Sequence, residues 1–111
     1  MTKTTHFSMS LLAPNQAQKE ITLNESLIII DALLGGAVID IGINYPPTDP
    51  KNGDLYIIGD EPTGNWENYR NYIAYFFQGW RYILPREGMG VWVIEKKKNF
   101  RIIDNQWVEG V

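Results

Sequence analysis

Cysteine is absent from the 111 residues, which excludes disulfides and thiolate metal centres. Histidine occurs once, as His6, with no Ser or Asp cluster beside it in the sequence. A Ser-His-Asp or Cys-His catalytic unit and a histidine-based zinc site therefore lack their parts. Positive charge is scarce: 10 Lys and Arg stand against 13 Asp and Glu, for a net charge of −3. That balance and a pI near 5.0 argue against a nucleic-acid-binding module. The only basic run, Lys96-Lys97-Lys98, reads as a solvated hairpin tip. No apolar run reaches the roughly 18 residues of a spanning helix, and the N-terminus lacks the apolar stretch of a signal peptide. Membrane insertion is not expected. No glycine-rich phosphate loop occurs, and neither a cofactor nor a metal is expected.

What the chain has is one helical pattern followed by many short alternating ones. The length suits a single domain over residues 1–111 with one core. Residues 1–12 are expected to be flexible, 13–36 to form a polar lead-in and a helix, and 37–111 to form a β meander. Leu23, Leu27, Ile30 and Leu34 recur at spacings of four, three and four, one face of a helix. Thr22-Leu23-Asn24-Glu25 fits a capping box, and Gly35-Gly36 is a helix stop. The spacing predicts a helix over about 23–34, entered from an extended or turn-like Pro14–Glu20 segment. Ile28 and Ile29 place further apolar surface off the main face.

From Ala37 the period changes to two. Residues 37–43 read as one strand, and "DLYIIG" as the next. After two loops, "YIAYFF", "WRYIL", "GVWVIEK", "NFRII" and "QWVEG" follow as short strands. Gln78-Gly79, the lysine run and Asp104-Asn105 mark hairpin turns, and "PREGMG" joins the middle pair. The fold class expected is α+β: a mostly antiparallel β meander, as a small sheet or barrel, with one N-terminal helix.

Aromatic residues make up 13% of the chain and fall almost entirely in the strand-rich part. In the "YIAYFF" strand, Tyr72, Ala74 and Phe76 share one face, and Ile73, Tyr75 and Phe77 the other. Both faces are apolar. One can pack on the helix, and the other needs a second layer, a neighbouring subunit or a ligand. Core packing, carbohydrate stacking and a subunit interface each explain some of these rings. The candidates for glycan stacking are Trp66, Tyr69, Trp80, Trp92 and Trp107. Asp60, Glu61 and Glu67 are the one option for paired-carboxylate glycan hydrolysis, and they also read as solvated loop acids. No catalytic residue is assigned.

Three blocks, "LLAPNQAQKEITLNESLIIIDALL", "PPTDPKNGDLYIIGDEPTGNW" and "IAYFFQGWRYILPREGMGVWV", resemble a domain-of-unknown-function family found in phage, prophage and gene-transfer-agent virion proteins. The resemblance runs from about Ser10 to Trp107. It implies a non-enzymatic structural or attachment module of a virion tail or tail fibre, present in the bacterial cytoplasm before assembly. Its partners would be other tail proteins. A carbohydrate-binding module for host-surface glycans is the alternative, and a small glycan hydrolase a third. The apolar helix seam and the two-sided apolar strands read as a homo-oligomer interface, with Leu23, Leu27, Ile28, Ile30 and Leu34 as candidate interface residues, and the tail-fibre setting of the resemblance implies a trimer by preference.

Overall fold

A computed structural model describes residues 3–11 and 17–110. Among these residues the architecture is α+β, one α-helix with eight short strands in two small open sheets. The chain divides into two units, Met1–Gly35 and Gly36–Val111.

In the first unit, helix α1 spans Ala17–Gly35 and stops where the double glycine implied, with Gly36 in the left-handed region at φ +65. Its start differs from expectation. Residues 17–20 are helical, so they are not an extended lead-in, and Thr22 and Glu25 lie inside the helix rather than at its cap. Ala, Gln, Lys and Glu are good helix formers, and no proline or glycine separates Ala17 from Thr22. Propagation through them outweighs a local cap worth about 1 kcal/mol. The remainder of the lead-in, residues 13–16, lies outside the described residues.

The helix buries Ile28, Asp31 and Ala32. Asp31 is fully buried and accepts hydrogen bonds from the Thr4 hydroxyl at 2.7 Å, the His6 N–H at 2.9 Å and the Phe7 N–H at 2.7 Å. Thr4 N–H donates to the Met9 carbonyl, Met9 N–H donates to the Thr4 hydroxyl, and Lys3 bridges Ser10. Residues 3–10, expected to be loose, are thus a closed turn held to the helix by one carboxylate. A buried carboxylate is tolerable only with such donors around it.

In the second unit, the run 37–43 is not one strand. Strand β1 (Ala37–Val38) pairs in parallel with β6 (Gly90–Val93), while β2 (Asp40–Ile43) pairs in parallel with β3 (Leu55–Ile58). Between them, Ile39 donates its N–H to Leu55 and accepts at its carbonyl from Glu95. Gly42, at φ +79, is the extra residue of a bulge in β2. All other pairings are antiparallel. One sheet runs β2-β3-β4-β5, with β4 at Ile73–Phe76 and β5 at Trp80–Ile83. The other runs β1-β6-β7-β8, with β7 at Lys98–Ile103 and β8 at Gln106–Glu109.

The predicted hairpins at Gln78-Gly79, the lysine run and Asp104-Asn105 are present, the second turning through residues 94–97 with Lys98 already in β7. The last is a two-residue turn with both residues at positive φ, 53 and 64, the form whose twist suits a tight hairpin. "PREGMG" joins β5 to β6 across the two sheets and makes no hairpin, so the meander breaks there and no barrel closes.

The two-sided apolar character of β4 is resolved by a loop. Leu55, Ile57, Ile73 and Tyr75 are buried on one face of their sheet. The opposite face carries Tyr56, Ile58, Ala74, Trp80 and Tyr82, and the β3–β4 connection folds over it. A single 3-10 turn, Gly64–Trp66, sets the fully buried Trp66 against Ile58 and Ala74. In the other sheet Val91, Val93, Phe100 and Ile102 are buried, and Trp92 lies on the outward face.

Candidate ligand cleft

The described residues of the second unit form a cleft of about 480 Å³ where β2 and β3 end and β4 and β8 begin. That volume falls within the roughly 300–1,000 Å³ usual for ligand sites. Ile57, Ile58 and Gly59 are its buried floor. Half-buried Asn44, Asn71 and Trp107 line it, and exposed Asp60, Glu61 and Gln106 complete the polar rim.

Each wall residue is held by its neighbours. Trp107, at the start of β8, donates its indole N–H to the Asn71 carbonyl at 3.0 Å, which fixes the ring and ties one sheet to the other. Asn71 adopts φ 65 and donates its own N–H to Ile58. Asn44 accepts at its carbonyl from the Thr63 N–H and hydroxyl, and its side-chain Oδ1 accepts from the Glu61 N–H at 3.2 Å. Gly59 lies so close that a Cβ there would meet Asn44 Oδ1 at 2.2 Å and the Gly42 carbonyl at 3.0 Å. Asp60 faces Arg70 at 3.9 Å, with both side chains mostly exposed, so this pair contributes little to stability.

The residues lining the cleft offer carboxylates, side-chain amides, aliphatic carbons and one indole. Among these described residues none carries a hydroxyl, thiol, imidazole or amine. The cleft thus brings hydrogen-bonding groups and one indole side chain into a single concavity.

The predicted stacking residues do not converge. Trp107 lies in the cleft. Trp66 is a correction: it is fully buried and has no face to offer a sugar. Tyr69 and Trp80 belong to the same half-buried cluster. Tyr69 stacks on Tyr82 with centroids 3.7 Å apart and planes 5° apart, so one of its faces is taken. Trp80 meets Trp66 edge-on at 5.0 Å and Phe76 at 5.1 Å. Burial raises the Tyr82 phenol above its ordinary value, and Tyr69 adds to the shift. Tyr56 is raised by burial first, then by Asp54, Asp40 and Glu95. Trp92 is 42% exposed on the outward face of the other sheet and is not among the described residues lining the cleft.

Of the predicted interface residues, Leu23, Ile30 and Leu34 are exposed at 47%, 51% and 64%, and Leu27 is half-buried. Ile28 is again a correction, since at 3% exposure it is core. Asn44, Asn71, Gly59 and Gln106 were not singled out from sequence. Their one local signal is the glycine-acid-acid run after β3, which marks a strand end opening into a polar loop.

A family model described as a protein of unknown function (DUF2793) matches residues 23–108. The chain belongs to this family. The matched span of this DUF2793 member includes strands β1 to β7, all of β8 but Glu109, and all the described residues of the cleft. No curated protein matches the chain.

Proposed function

We propose that this DUF2793 member is a non-enzymatic attachment module that holds a host-surface glycan in the Asn44–Trp107 cleft, within a phage- or prophage-derived virion tail. The observation that carries the binding reading is Trp107. Its indole is oriented by the 3.0 Å bond to Asn71, beside side-chain amides and carboxylates in one concavity. Sugar recognition uses this combination of an aromatic platform and convergent polar groups. Support for a non-enzymatic role comes from the acids: Asp60 and Glu61 are adjacent, exposed and on one rim, whereas glycosidases set two carboxyls on either side of a bond. The virion setting rests on the resemblance of the three sequence blocks alone.

A homo-oligomer, with a trimer preferred, fits the same setting. Leu23, Leu27, Ile30 and Leu34 have coiled-coil spacing, and three of the four are exposed. Light scattering on the 12.8 kDa chain tests this directly, and a monomer mass unchanged on concentration rules it out.

The test of the main reading is a glycan array followed by NMR titration, with Trp107→Ala as control. Binding of at least one oligosaccharide is expected, lost in the variant, without release of reducing ends. No binding across the panel would refute attachment by glycan. Turnover abolished by Asp60→Asn or Glu61→Gln would make the protein an enzyme.

A further inference from the structure

We propose that the cleft discriminates by charge, taking uncharged hexose units and rejecting acidic ones such as uronates. This rests on the reading of the cleft as a glycan site and adds the class of sugar it holds.

The argument is an inventory of what the cleft can offer a ligand. Asn44 Oδ1 accepts one bond from the Glu61 N–H and keeps a second lone pair, while its amide N–H₂ adds two donors. The side chains of Asn71 and Gln106 each add a carbonyl acceptor and two N–H donors. Asp60 and Glu61 accept only, and they sit side by side on the rim. A neutral ring hydroxyl both donates and accepts, so it can satisfy amides and carboxylates alike. A ligand carboxylate only accepts. It could use the amide donors, but would leave the two rim acids facing a like charge.

Compensating cations are few. Arg70 stands 3.9 Å from Asp60 at the solvated rim and offsets only part of that carboxylate's charge, and no Lys, Arg or His is among the described residues lining the cleft. Selection therefore comes from repulsion of the wrong ligand as well as from contacts to the right one.

The rim is solvated, so the discrimination is salt-dependent and of moderate size, roughly tenfold at low ionic strength. The experiment uses pairs of sugars differing only at C6: tri-galactose against tri-galacturonate, and cellotriose against its glucuronate counterpart. The full chain is titrated by NMR at low and at high salt. For a pair that binds, the neutral member should bind about tenfold more tightly, and salt should narrow the gap. Asp60→Asn combined with Glu61→Gln should collapse the neutral-to-acidic ratio toward one, with folding verified by circular dichroism. Equal or tighter binding of the acidic member, with Trp107→Ala still abolishing both, would overturn the charge rule and leave the glycan site standing. Binding of neither class to the wild-type chain would overturn the glycan reading and this inference together.

Discussion

Gly59→Ala places one methyl group where the floor of the cleft meets its wall. The added Cβ would lie 2.2 Å from Asn44 Oδ1, 3.0 Å from Asn44 Cγ and 3.0 Å from the Gly42 carbonyl. Gly59 does not occupy the left-handed region, so the substitution tests space rather than backbone freedom. Overpacking of this kind costs about 1–3 kcal/mol. The side chain that must yield also accepts from the Glu61 N–H, and losing that bond adds about 0.5–1.5 kcal/mol. A total of about 1.5–4.5 kcal/mol follows, which for a unit of this size lowers the melting temperature by roughly 6–36 °C.

Asn44→Ala alone should cost about 1 kcal/mol, because only the bond to Glu61 is lost. The double variant should be less destabilised than the sum of the two by at least about 1 kcal/mol, because truncating Asn44 removes the worst clash. The contact with the Gly42 carbonyl persists, so rescue is incomplete. Urea unfolding followed by tryptophan fluorescence measures all four corners of this cycle. Additivity of the two substitutions within about 0.5 kcal/mol, or a Gly59→Ala cost below that, would refute the packing argument.

Two further outcomes are expected. Trp66→Ala should cost about 3–5 kcal/mol as a buried aromatic truncation, while Trp92→Ala should stay within about 1 kcal/mol; denaturant unfolding of both variants separates them, and similar costs would contradict the burial difference. Tyr56 and Tyr82 have phenols raised by burial, so the neutral form is favoured in the folded state. Their contribution is present below the ordinary phenol value near 10 and is lost as pH rises through the raised values. Spectrophotometric titration should show the Tyr56 and Tyr82 phenols ionising late, and stability should fall on the alkaline side. Normal titration of all six tyrosines would exclude this.

The sequence disclosed the features that local chemistry decides. Gln78-Gly79 and Asp104-Asn105 are turns because their residues tolerate positive φ, and the strands around them alternate as read. The helix stop at Gly35-Gly36 is of the same kind. What the sequence concealed depends on partners distant along the chain. The alternation of 37–43 continues without a break through Ile39, so nothing local marks the change from one sheet to the other. Nothing local marks Asp31 as a buried anchor, because its donors at Thr4, His6 and Phe7 lie far back along the chain. Trp66 sits in a polar loop and reads as exposed, although that loop folds over the aromatic face of β4. The cleft has the same character: Asn44, Asn71 and Trp107 become neighbours only when two sheets meet.

Ile39 gives the second unit a property that neither sheet has alone. Its N–H belongs to the ladder with Leu55 and its carbonyl to the ladder with Glu95. One backbone run is thus a through-stitch, with its first residues in one sheet and its last in the other. A two-stranded parallel contact as short as β1 on β6 would fray readily by itself. Here fraying must also pull on β2, whose register is pinned by the bulge at Gly42. Neither sheet can peel away while the other keeps its edge, so loosening spreads from one to the other. The short strands, each too small to persist alone, therefore melt as a single cooperative block.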